Sequence, residues 1–184
     1  MDNIIFRTPH MEVVTYTKAN RAPEGGNPVT SFVYGNKPLR LLSNDDIPFI
    51  FCYDGKLLGG MKINLDDTLG EKLYQEMSKL IKGKKLAPEK FVCYFGPAIG
   101  FSHISVTREL QMELIEKGFQ LACKRTSGED YLDLGVMNLL MLRKLGIPML
   151  NIHISDYGTA DDPKLLYSQS NGEEKENVTI ATLL

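Results

Sequence analysis

Apolar and polar positions along the chain change their period several times, and each change marks the edge of an element. Met11 to Thr17 alternates and is rich in Val and Thr, as a half-buried strand requires. The RAPEGGNP stretch that follows gathers Pro, Gly and Asn and predicts a loop. Ile47 to Tyr53 is a continuous apolar run that reaches the turn signal Asp54-Gly55, and Lys56 to Lys62 returns from it, so the two predict a hairpin of buried strands. From Thr68 the period lengthens: Leu69, Leu73, Met77, Leu80 and Ile81 share a helical face, with Asp67 or Thr68 as cap and Gly83 as stop.

Phe91 to Phe95 predicts a short strand running into Gly96-Pro97. Leu110, Leu114 and Ile115 line one face of a helix over residues 107–117, which Gly118 ends. Asp133 is placed to cap a third helix over 133–145, with Leu134, Met137, Leu140, Met141 and Leu145 inward and Gly146 and Pro148 beyond it. Met149 to Ile154 and Val178 to Leu183 predict two more strands, separated by a segment whose SQSNGEEKEN part is polar and turn-like. Hairpins and crossovers both occur, so the fold class is α/β of the layered α+β kind, a mixed sheet packed with helices. No repeat, linker or low-complexity segment divides the chain, and residues 1–184 are expected to form one domain.

Composition narrows the class of function. At 184 residues and 43% hydrophobic, the chain is long enough to bury a core without a disulfide or structural metal. Its formal charge of −2 and the lack of a one-sided basic stripe give no footprint for nucleic acid. Cys52, Cys93 and Cys123 form no CxxC pair, and an odd count argues for a reducing compartment. No run approaches the ~18 apolar residues of a membrane span, and the N-terminus lacks the pattern of a signal peptide, so a cytoplasmic protein is expected.

Chemistry enters with the stretch FVCYFGPAIGFSHISV, residues 91–106, and the later DYLDLGVMNLLMLRKLGI, residues 130–147. Together they resemble the GPAIG segment and the LDL helix of the laccase-domain, or YfiH-like, family, which contains zinc-dependent purine nucleoside phosphorylases and adenosine deaminases. The likeness extends weakly over most of the chain, with the family's N-terminal hairpins missing. It implies the YfiH-like fold and a zinc held by a His of a QVH motif, a Cys of a TADCxP motif and a His of an HAGWRG motif. On that pattern His10 takes the place of the first ligand. SNDDIPF matches the second motif through Asp45 and Pro48, with Asp46 at the cysteine position, and the third histidine becomes Lys62. The metal ligands that the resemblance leaves are His10 and Asp46. The family's FFSYRR pattern falls on Leu165 to Ser170 and its GR on Glu176 and Asn177, so every arginine of the phosphate-binding pattern is replaced.

These residues admit two readings. In the first, His10, Asp46 and Lys62 line one pocket for a purine nucleoside, with zinc as cofactor if the site survives and His103 as replacement ligand or general base. In the second, the fold is kept as a non-catalytic binding or interaction protein with no tightly bound cofactor. His10 is then a surface residue, Asp46 a turn residue, and Lys62 offsets Asp45, Asp46 and Asp66 in the space a metal would fill. His153, inside an apolar strand, suits a structural hydrogen bond, and Cys52 and Cys93 suit core thiols. GPAIG lacks the Gly-Lys-Ser/Thr of a phosphate loop and suits close approach of two loops. Missing N-terminal strands would leave a sheet edge open, which a homodimer would cover.

Overall fold

The computed structural model describes residues 2–184, and it stacks two five-stranded sheets and a helical layer. The first sheet has the order β1 (Ile4–Arg7), β2 (Met11–Tyr16), β12 (Asn177–Leu183), β5 (Leu39–Ser43) and β3 (Asn27–Pro28). The second runs β11 (Ile152–Ile154), β8 (Phe91–Phe95), β6 (Ile47–Tyr53), β7 (Leu57–Ile63) and β4 (Val33–Gly35). A separate hairpin joins β9 (Cys123–Thr126) to β10 (Glu129–Leu132). Pairing is antiparallel except for β11 on β8 and β3 on β5, which makes both main sheets mixed, as the hairpins and crossovers of the sequence predict.

Strand β6 explains why the layers hold together. Its period of two sends Phe49 and Phe51 to one face and Ile50 and Cys52 to the other, and both faces are covered. Ile50, Cys52, Leu58 and Tyr94 meet Met11, Val13, Leu39, Leu41 and Ala181 of the first sheet. On the opposite side Phe49, Phe51, Phe91, Cys93 and Phe95 meet the helices through Leu73, Met77, Met137 and Met141. Phe49 lies 5.1 Å from Phe95 and Phe51 lies 5.6 Å from Phe91, ring centroid to centroid, at inclined angles that aromatic quadrupoles favour. Cys52 and Cys93 are both core thiols, on neighbouring strands but on opposite faces of the sheet.

Helices α1 (Leu65–Leu69), α2 (Lys72–Lys84), α3 (Arg108–Glu116) and α4 (Leu134–Lys144) account for the three helical periods. Thr107 and Asp133 cap α3 and α4, accepting from the backbone N–H of Leu110 and Val136. The first helical region differs from expectation. Asn64 and Asp67 close a capping box on the short α1, and Glu71 then takes a left-handed conformation before α2 begins. Gly83 lies within α2, and Lys85 rather than a glycine forms the left-handed end. Met149–Asn151 is a turn of 3-10 helix, so only Ile152–Ile154 of that expected strand pairs. The loop expected at residues 21–28 ends in the two-residue β3.

Because Phe49 is fully buried between β8 and the helices, Phe49→Ala is expected to cost about 3–5 kcal/mol through lost transfer energy and a residual cavity. Urea unfolding of the two proteins checks this. A loss under ~1 kcal/mol would mean that the helical layer collapses into the gap and that β6 is not its anchor.

Candidate functional site

The cleft with the most chemistry lies beyond the carboxyl ends of β8 and β11, the parallel pair, where the amino end of α4 also arrives. The loops that follow these two strands leave a hollow between them. It measures about 190 Å³ and is walled by two loops. One follows β8 and contributes Gly96, Ile99, Gly100 and Phe101; the other follows β11 and contributes Ser155 to Gly158 and Asp161, with Asp133 and Gly135 of the α4 end between them. Phe101 and Tyr157 supply aromatic surface, and no lysine or arginine lines it.

GPAIG acts through close approach, as its lack of a phosphate-loop lysine suggests. A Cβ on Gly96 would come 2.7 Å from Pro48 Cγ, and one on Gly100 would come 2.8 Å from Asp161 Oδ2. The space saved at Gly100 lets Asp161 turn toward the first loop and reach His103, whose Nε2 lies 2.9 Å from Asp161 Oδ1. The pair is solvent-accessible on both members. A carboxylate that fixes the imidazole's orientation in this way is the arrangement of a general base and its orienter.

Asp46 and Lys62 stand together at the other margin, before β6 and near the end of β7, where Pro48 pairs with Lys62. Burial pushes the Asp46 carboxyl above its ordinary value, Lys62 pulls it back, and Asp67, Asp45 and Glu176 add to the rise. Lys62 makes no direct ion pair among the described residues. The charged group around it differs from the expected one. Asp66 is exposed on the first turn of α1, and Asp67 of the capping box acts on Asp46 in its stead. Asp45 is taken up by hydroxyls: it accepts from Thr159 Oγ1 at 2.7 Å, Ser168 Oγ at 2.6 Å, and the N–H and Oγ of Ser170 at 3.2 Å each.

The structure does not bring His10 to this place. Its ring packs on Gly55, where an added Cβ would lie 3.0 Å from His10 Cγ, at the turn between β6 and β7. Asp46 precedes the first residue of β6, so the two are separated by the length of a seven-residue strand, roughly 20 Å. The expectation that His10, Asp46 and Lys62 converge is thereby corrected. A different hollow, with Cys52, Asp54 and Lys90, surrounds His10. The His153 ring makes no hydrogen bond among the described residues, unlike the expectation; it lies 4.9 Å from the ring of Phe6 at the exposed edge of the second sheet.

Sequence reasoning missed Asp161, Asp156 and the hydroxyls around Asp45. Asp45 and Ser170 are 125 positions apart, and no periodicity links such a pair. The available signals were motif matches, of Asp45 to one pattern and of Ser168 and Ser170 to another.

A family described as multi-copper polyphenol oxidoreductase laccase matches residues 67–179, a span that includes His103 and begins after Lys62. Among solved structures, the chain is similar to Bacillus licheniformis hypothetical protein YfiH, with a TM-score of 0.72 and 23% identity over 84% of this chain and 62% of that one. It is similar to YlmD from Geobacillus stearothermophilus at 0.72 and 23% over 83% and 60%. Neisseria meningitidis protein NMB0706 superposes with a TM-score of 0.77 at 13% identity, over 100% of this chain and 99% of that one. The chain thus has the YfiH-like fold while spanning under two thirds of the first two proteins. No curated protein matches the sequence.

The raised Asp46 value has a definite sign. A carboxyl that holds its proton more tightly in the folded than in the unfolded chain contributes fully below the unfolded pKa, and that contribution is lost as pH rises through the folded value. Asp46→Asn is therefore expected to raise the melting temperature at pH 7 by about 1–2 °C, solvent screening of this half-buried group limiting the gain, with the gain shrinking below about pH 5 and absent below about pH 3. Thermal unfolding across that range tests it, and a lower melting temperature at pH 7 would show that attraction to Lys62 outweighs burial.

Proposed function

The chain belongs to the multi-copper polyphenol oxidoreductase laccase family, and we propose that it serves there as a binding protein for a small planar ligand of the purine nucleoside type, without the zinc chemistry that the sequence resemblance implies. The observation that carries this reading is the separation of the expected ligands. Catalytic zinc requires three protein donors and an open position. Asp46 offers one oxygen, the ammonium of Lys62 repels a cation, and His10 lies a strand's length away at the turn beside Gly55. Among the described residues no group of three or more His, Cys, Asp or Glu is placed to hold a metal ion. The residues do not fit zinc. Copper would need a set of His, Cys and Met ligands, and His10, His103 and His153 stand at three separate places while Cys52 and Cys93 are buried in the core.

A second observation supports the loss of phosphate-dependent turnover. Where the family pattern carries its two arginines, Gln169 and Ser170 turn their backbone N–H groups to Asn44 and Asp45. The segment grips carboxyl and amide oxygens of its own chain, and its donors are occupied. What persists is the cleft, with aromatic surface for a flat ring and carboxylates to accept from ring N–H groups. At about 190 Å³ it is smaller than the ~300–1,000 Å³ of pockets for drug-sized ligands, which suits a nucleobase with part of its sugar. The His103–Asp161 pair favours a second reading, in which a metal-free proton transfer on such a ligand is retained. Three thiols without a disulfide suit the reducing cytoplasm, where we place the protein, and no helix among the described residues is long and apolar enough to cross a membrane.

The purified protein is expected to carry no stoichiometric zinc, to show no tight site on calorimetric titration with zinc, and to bind adenosine or inosine without turning them over when phosphate is present. Lys62→His combined with Asp46→Cys is expected to leave zinc binding weak, because two neighbouring donors still lack the third. Stoichiometric zinc in the unmodified protein, or turnover near ~1–1,000 per second, sinks the reading. Slow turnover abolished by His103→Ala, with no metal bound, selects the proton-transfer alternative.

A further inference from the structure

We infer that Asp45 is the positioning residue of the cleft: it sets the spacing of the two walls, and through them the affinity for the ligand, without touching the ligand itself. The inference rests on the reading of this cleft as the binding site. Asp45 is not among the residues that line the cleft, yet both walls hang on it. Its backbone carbonyl accepts from the N–H of Ile99 at 3.1 Å, in the loop after β8. Its carboxylate accepts from Thr159 at 2.7 Å, in the loop after β11, and from Ser168 and Ser170 further along the same segment. The walls also meet at two points beyond Asp45, where Thr159 N–H donates to the Ala98 carbonyl at 2.9 Å and where His103 Nε2 lies 2.9 Å from Asp161 Oδ1. The 22 residues between β11 and β12 contain no strand or α-helix to hold themselves in place, so their position over the cleft is set by such bonds.

The chemistry requires a carboxylate rather than any polar side chain. Oδ1 accepts from Thr159 and Ser168, and Oδ2 accepts from the backbone N–H and Oγ of Ser170. Thr159 and Ser168 are fully buried, so neither can turn to water. An asparagine presents N–H₂ at one of these two corners. At the first it faces two buried hydroxyls that must then give up donating; at the second it faces a backbone N–H that cannot accept. Either placement loosens one attachment while leaving size and shape unchanged. The neighbouring Asn44 holds a different part of the segment, accepting from Gln169 N–H and donating to the carbonyls of Glu173 and Lys175. The far end of the segment therefore stays docked when Asp45 is altered, and the disturbance falls on the wall.

The test compares the wild type, Asp45→Asn and the milder Ser170→Ala by amide hydrogen exchange and by calorimetric titration with inosine. In Asp45→Asn the N–H groups of Thr159 and Ser170 are expected to exchange about tenfold faster or more, while those of Phe49 and Met141 in the core keep their protection. The Kd for inosine is expected to rise by about tenfold, or ~1.4 kcal/mol. Ser170→Ala should change both in the same direction by less, and it covers the case in which Asp45→Asn fails to fold. Unchanged exchange at Thr159 overturns the inference, as does loosened exchange with unaltered inosine affinity. If the wild type binds no nucleoside, the functional reading fails on its own, and the exchange at Thr159 still decides whether Asp45 sets the walls.

Discussion

The carboxylate of Asp45 gathers four hydrogen bonds from residues more than a hundred positions away in the chain, and the shape of the end of the molecule that carries the cleft follows from that convergence. A charged acceptor inside a ring of neutral donors is a strong arrangement, because each bond is charge-assisted and the buried hydroxyls have no alternative partner. Asn44 extends it by one residue, and Asn177 at the start of β12 closes it by donating to the carbonyls of Tyr167 and Asn44. The long segment before β12 is thus fixed at both ends by the corner between β5 and β6. That corner is itself held by strands buried in the core.

The same corner carries the charged pair that stands where the sequence resemblance places two of the metal ligands. Asp46, next to Asp45, faces Lys62 with its charge only partly offset, and Asp67 adds repulsion. A divalent ion would neutralise such a site, but Lys62 supplies a single positive charge with no need for a third donor. The stability of the layers does not pass through this pair. It passes through Phe49, Phe51 and the aromatic contacts of β6 and β8, which share strands with the site but face the helices.

Periodicity made much of the fold legible. The runs at Met11, Ile47 and Phe91 and the capped helices at Thr107 and Asp133 have local causes, and local causes are visible in a sequence. The short strands β1, β3, β4 and β5 were not legible, since their pairing is decided by partners far along the chain. Glu71 and Lys85 went unseen for another reason: a left-handed backbone without glycine carries no compositional mark. At the site, the neighbourhood of Asp46 and Lys62 was legible because a hairpin fixes the register of its own two strands. The place of His10 was not. A motif match assigns a residue to a pattern, and only the sheet order determines which end of a strand that residue meets.

The opposed directions of Cys52 and Cys93 have a consequence of their own. Adjacent strands bring the two backbones within a residue of register, yet one thiol points into the seam between the sheets and the other into the seam beneath the helices, with the sheet between them. Burial also raises both thiols above their ordinary pKa, so neither offers a thiolate to an oxidant at neutral pH. Two sulfur atoms that a linear reading would consider for a crosslink are turned to opposite faces by the pleat. The folded interior consequently has no disulfide switch between these two positions, whatever redox potential surrounds the protein.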